Sequence, residues 1–158
     1  MRHIISAIVE NKPGVLAHIS GLFAGRGFNI DSLAVGETED PTRSRMTVVV
    51  RGDDSVLEQV RKQLGKIIDV IKVTDFSDSE FVERDLMLIK VSVRPEKRGE
   101  IFEVCEVFRG KVVDIGAKHL TLEISGPEKK VEAFIDLMKP YGICEVARTG
   151  RIAIARGE

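Results

Sequence analysis

The apolar positions of this chain switch period repeatedly, and the switches mark its elements. Ile4-Ile5-Ser6-Ala7-Ile8-Val9 is apolar on both faces, the pattern of a strand covered from two sides. Val15, Leu16, Ile19, Leu22 and Phe23 then recur at i, i+1, i+4, i+7 and i+8, which predicts a helix with one apolar face. Gly14, Ala17, Gly21 and Ala24-Gly25 form a second, small-residue stripe on that helix, and Gly27 is placed to stop it. Phe28–Gly36 and Ser44–Arg51 read as strands joined by the polar Glu37–Arg43 loop. Asp53-Asp54-Ser55, with Glu58 three residues after the serine, is a capping signal for a helix carrying Val56, Leu57, Val60 and Leu64. Ile67–Phe76 returns as a strand.

The same series then runs again. Leu86–Val93 is a strand, and Ile101, Phe102, Cys105 and Phe108 mark a helical face. Val112–Ala117 and Leu120–Ser125 are strands, Pro127 opens a helix bearing Val131, Phe134, Ile135 and Met138, and Ile143–Ala147 closes the unit. Arg151–Arg156 alternates strictly and predicts a short edge strand. The order is βαββαβ twice. The fold class is therefore α+β, with two ferredoxin-like domains, residues 1–76 and 86–158, joined by a polar linker at 77–85. Each sheet is expected to be four-stranded and antiparallel, with both helices on one face and the other face left for something else to cover.

Composition removes several function classes. With 24 Lys and Arg against 25 Asp and Glu, the formal charge of −1 offers no field to recruit nucleic acid or an anionic membrane. No apolar run reaches the roughly 20 residues of a spanning helix, and Met1–Glu10 is too short and alternating for a signal peptide, so a cytoplasmic protein is expected. Cys105 and Cys144 are far apart and lack C-x-x-C spacing, which excludes a zinc ribbon and leaves both as small buried apolar residues. His3, His18 and His119 have no i, i+4 partner, so no metal site is expected. An RNA-binding sheet on this fold needs stacking aromatics on its central strands, yet the chain has no Trp and a single Tyr. A phosphate-handling enzyme on this fold needs a bidentate cation in the first strand–helix loop, where only Lys12 stands. No nucleophile is placed beside a base by any motif.

What remains is the turn Asn11-Lys12-Pro13-Gly14 leading into Val15-Leu16. A helix N-terminus offers unpaired N–H groups and the positive end of the macrodipole, a seat for a small anion. Gly14 leaves that mouth bare, and Pro13 sets φ at the first turn. On spacing alone, this is also how an ordinary helix starts, with Asn11 as a cap and Asn29 as a turn residue.

The run Glu10–Leu33, "ENKPGVLAHISGLFAGRGFNIDSL", resembles the opening of an ACT domain, a small-ligand regulatory module. With "DPTRSRMTVVV" at Asp40–Val50 and the closing "EVARTGRIAIARGE", the whole chain is similar to the family of acetolactate synthase regulatory (small) subunits. The resemblance implies a non-catalytic homodimer that binds valine or a related branched-chain amino acid between two ACT domains. Asn11, Gly14, Val15 and Leu16 of one chain would face Asn29 and Ile30 of the other. It also implies a catalytic large subunit as partner, which this chain activates and makes sensitive to feedback inhibition. Thiamine diphosphate, magnesium and FAD are expected on that partner, with no cofactor and no metal in this chain. The second domain, with Glu96 where the first has Gly14, is expected to lack the amino-acid site. The alternative is a stand-alone ACT sensor that regulates another enzyme.

Overall fold

A computed structural model describes residues 1–157. They form two compact units: Met1–Val82 together with the segment from Arg151 onward, and Glu83–Gly150.

The first unit contains β1 (Arg2–Glu10), α1 (Val15–Arg26), β2 (Asn29–Glu37), β3 (Arg43–Arg51), α2 (Asp54–Gly65) and β4 (Val70–Asp75). Its strands run in the order β2-β3-β1-β4, every neighbouring pair antiparallel. Ile5, Ala7 and Val9 of β1 and Met46, Val48 and Val50 of β3 form one face. Val15, Ile19 and Phe23 of α1 and Leu57, Val60 and Leu64 of α2 cover it. Each buried Val, Leu, Ile, Met or Phe among them contributes roughly 2 kcal/mol of transfer free energy.

The end of α1 is closed by a Schellman motif. Gly27 has φ 68°, its N–H donates to Ala24 C=O, and the Phe28 N–H donates to Phe23 C=O. The Phe28 ring meets Phe23 edge-on at 5.9 Å, so the helix stop also fixes where β2, and Asn29 at its head, begins.

The second unit contains most of β5 (Phe81–Ser92), α3 (Arg98–Val107), β6 (Lys111–Ile115), β7 (His119–Gly126), α4 (Glu128–Met138) and β8 (Ile143–Arg148), with the order β6-β7-β5-β8, again antiparallel. Met87, Ile89 and Val91 of β5 and Leu120, Leu122 and Ile124 of β7 pack under Ile101, Cys105, Val131, Phe134 and Met138. Both units are thus βαββαβ folds with their helices on one face of the sheet.

Several expectations change. The stretch read as linker is partly strand, because β5 begins at Phe81. The Phe81 ring meets Phe76 at a tilt with centroids 5.4 Å apart and packs against the cluster of Ile4, Val49, Phe76 and Ala153. β9 (Ile152–Ala155) pairs with β5, and Ala153 is buried with Ile4, Val49 and Phe76. The face of the first sheet opposite its helices is therefore partly covered from within its own unit, by a segment expected to belong to the second domain. The α2 cap is Asp53 rather than Ser55: its Oδ1 accepts the Val56 N–H at 3.0 Å. Ile67 belongs to the turn after α2, where it packs in the core, and β4 starts at Val70. Of the cysteines, Cys105 is buried, which pushes its thiol pKa up, whereas Cys144 is exposed.

Candidate functional site

Lys12-Pro13-Gly14-Val15 forms the turn between β1 and α1. Gly14 has φ 86° and ψ −12°, the values of the third residue of a type II turn, and Pro13 is where that turn wants proline. Pro13 thus shapes the turn before α1 and does not occupy the helix's first position. A side chain at Gly14 would meet no atom within 4 Å, so glycine is required by the backbone angle and not by crowding.

The helix that follows starts unusually. Its N-cap residue has no side chain, no side-chain hydrogen bond closes it, and its first turn holds no acidic residue. The other three helices each carry an acid there, Asp54, Glu100 and Glu128. Val15 N–H makes a long bond to Lys12 C=O at 3.4 Å and His18 N–H donates to Gly14 C=O at 2.9 Å. Among the described residues no backbone acceptor is given to the N–H groups of Leu16 and Ala17. The positive end of this helix is left electrostatically open.

Asn11 flanks the opening without capping it. Its backbone N–H donates to Thr42 C=O at 2.7 Å, and its side-chain Nδ2 donates to Pro41 C=O at 2.9 Å and to Glu37 Oε1 at 3.0 Å. The loop it grips is itself braced: Asp40 Oδ1 accepts the Thr42 hydroxyl at 2.7 Å and the Thr42 N–H at 3.0 Å. Those bonds, the hydroxyl's first, hold the Asp40 carboxyl below the ordinary carboxylate range. With both amide hydrogens used, Asn11 presents its Oδ1 as an acceptor, the group an ammonium needs.

The other residues are placed unequally. Val15 is only 5% exposed and its side chain lies in the core, so at the turn it offers backbone alone. Leu16 is 44% exposed and provides apolar surface beside Gly14. Asn29 is exposed at the start of β2, and Ile30 is half-buried against the core. The register separates these two groups. Asn29 pairs with Arg51, which pairs with Arg2, whereas Glu37, held by Asn11, pairs with Ser44 opposite Val9. Eight residues of one strand, roughly 25 Å, lie between them. One chain does not bring Asn11 and Gly14 together with Asn29 and Ile30. Sequence reading missed Glu37, whose place beside Asn11 depends on the β2–β3 loop and leaves no local pattern.

No helix among the described residues is long and apolar enough to cross a membrane. Among them, too, no group of three or more His, Cys, Asp or Glu is arranged to hold a metal.

Comparison with known proteins covers both units. Residues 5–72 match the family model of the acetohydroxyacid synthase small-subunit-like ACT domain, and residues 84–157 match that of the small subunit of acetolactate synthase. The chain is 57% identical over 157 residues to a probable acetolactate synthase small subunit of Archaeoglobus fulgidus, covering 99% of this chain and 98% of that one. It is 50% identical over 155 residues to the acetolactate synthase small subunit of Mycolicibacterium smegmatis, covering 98% and 91%. The crystal structure of the acetolactate synthase small subunit from Thermotoga maritima superposes with a TM-score of 0.90 at 44% identity, over 100% of this chain and 99% of that one.

Proposed function

We propose that this chain, which belongs to the family of acetolactate synthase small subunits, is the non-catalytic regulatory partner of a catalytic large subunit and binds valine or a close branched-chain relative. The observation that carries the reading is the open start of α1. Bare N–H groups at an αL glycine suit a carboxylate, and the Asn11 Oδ1 beside them suits an ammonium. Exposed Leu16 supplies apolar surface for an aliphatic side chain.

Two copies are needed to complete the site. β2 is an edge strand with exposed Leu33 and Val35, so a second copy can continue the sheet across it. A two-fold antiparallel pairing would bring the Asn29–Ile30 end of one β2 to the Glu37–Asn11 end of the other, supplying the missing half. The condensation chemistry, with its thiamine diphosphate, magnesium and FAD, belongs in this reading to the large subunit in the cytoplasm. The small subunit would activate it and transmit feedback inhibition. Coupling of that kind is reciprocal, so the large subunit must change valine affinity by the factor through which valine changes subunit affinity.

The test is calorimetry of the purified full chain with valine, alongside sedimentation over a range of protein concentrations. Saturable binding that also tightens the dimer is expected. A monomer that binds valine at full affinity would refute the two-chain site.

A further inference from the structure

The start of α3 holds a cavity of about 850 Å³ lying wholly within the second unit. Its floor is the end of β5 at Ser92 and Val93. One wall is the turn into α3, with Arg94, Lys97 and Glu100. The β6–β7 turn, with Lys118 and His119, forms a second wall, and Pro140-Tyr141 a third. Backbone and side-chain bonds fix these walls. Val93 N–H donates to Lys118 C=O at 2.9 Å, and Ser92 N–H donates to Gly142 C=O at 2.8 Å. Arg98 Nη2 clamps the β6–β7 turn from outside the cavity through Gly116 C=O at 2.6 Å and Ala117 C=O at 3.0 Å.

The charges in this cavity do not balance. Arg94, Lys97 and Lys118 line it against one carboxylate, Glu100. That carboxylate is already engaged by the Tyr141 hydroxyl at 2.9 Å and by Lys97 at 3.3 Å. Among the described residues, no hydrogen bond or ion pair involves the side chains of Arg94 or Lys118, and both residues are exposed. Three cations with one internal counter-charge leave two positive charges in a concave site, with His119 as a further polar group. A guanidinium and an ammonium lining one cavity suit a ligand with two negative charges, because the first grips planar or tetrahedral oxyanions by two parallel bonds and the second acts as a point charge. A zwitterionic amino acid is not what this cavity selects: its ammonium would meet three cations.

We propose that the second unit carries a binding site of its own for a compact dianion, either a phosphoryl group or a dicarboxylate, held by Arg94 and Lys118. The site is separate from the amino-acid site of the first unit and does not depend on it.

Calorimetry of the full chain at low ionic strength tests the proposal with inorganic phosphate, succinate and acetate as probes. Phosphate or succinate is expected to bind saturably at one site per chain, the tighter of the two identifying the ligand class, and acetate at least tenfold more weakly. The paired substitution Arg94→Gln with Lys118→Gln is expected to weaken the preferred dianion at least tenfold. Both side chains are exposed and unpaired, so thermal unfolding of this variant is expected to match the parent. Lys118→Glu provides a second variant and is expected to abolish binding. Gly14→Asp, in the other unit, is expected to leave dianion binding unchanged. Absence of binding by both dianions, acetate as tight as succinate, or undiminished binding in the substituted chains would each overturn the proposal.

Discussion

The two turns that lead from first strand to first helix, Lys12–Val15 in one unit and Arg94–Lys97 in the other, hold the same topological position and treat charge in opposite ways. The first closes with a type II turn on a bare glycine and leaves α1 with no cap and no acid. The second passes through a 3-10 turn, Pro95–Lys97, with Glu96 where Gly14 stands, and surrounds the start of α3 with charged side chains. The second unit also settles its interior charge with side chains: Asp85, 1% exposed, is held by Arg148, which also reaches Glu132. One fold therefore has two kinds of helix entrance, one bare of side chains and one lined by charged ones. A bare entrance is altered by adding a side chain, and a lined one by removing one.

That contrast can be broken by substitution. The largest effect is expected from Arg148→Met, which leaves the buried Asp85 carboxylate without its partner at a cost of about 3 kcal/mol. Denaturant unfolding followed by fluorescence probes placed in each unit should show the loss in the second unit, with valine binding retained. Equal loss in both units would mean that they unfold as one.

Next comes Gly14→Asp, expected to weaken valine more than 100-fold, about 2.7 kcal/mol, by putting a carboxylate where the ligand's own belongs. Gly14→Ala sharpens the point. It carries the same αL strain, about 1 kcal/mol of stability, without the charge, and should retain most of the binding. If alanine were as damaging as aspartate in calorimetry, the turn's shape, not its electrostatic opening, would be what the ligand reads.

Asp53→Ala removes a side-chain cap of the kind α1 lacks. It is expected to cost about 1 kcal/mol of stability in thermal unfolding and to leave valine binding intact.

The smallest effect is expected from Tyr141→Phe. The Tyr141 hydroxyl, then Lys97, holds the Glu100 carboxyl below its ordinary 4.5. A depressed folded-state pKa contributes stability above the unfolded value and loses it as pH falls through the folded one. Without the hydroxyl, Glu100 should titrate nearer the ordinary value, and that contribution should shrink at pH above it. A carbon-detected carboxyl titration by NMR, unchanged by the substitution, would remove Tyr141 as the cause.

Much of this architecture was legible because its determinants are local. The strand and helix periods, Gly27 as a helix stop and the double βαββαβ order all depend on neighbours a few residues apart. Asp53 and Ser55 both lie in the capping signal as capable caps, and the structure selects Asp53. Val15's place at the turn is visible in sequence, whereas the inward direction of its side chain is set by the helix's rotation on the sheet. Glu37 beside Asn11, and Arg94 sharing a cavity with Lys118, join residues 26 and 24 positions apart through loops, and no periodicity announces such a meeting. Cys144 is exposed because it lies on β8, an edge strand whose order only the tertiary pairing reveals.

The burial of Ala153 with Ile4, Val49 and Phe76 makes the first unit discontinuous in the chain. The second unit is inserted into it and hangs from two covalent ties, one entering near Val82 and one leaving near Arg151. A chain made only as far as Phe76 still lacks Ala153, the residue that packs against this face. A protein stopped at Ser79 would expose the Ile4–Val49 surface.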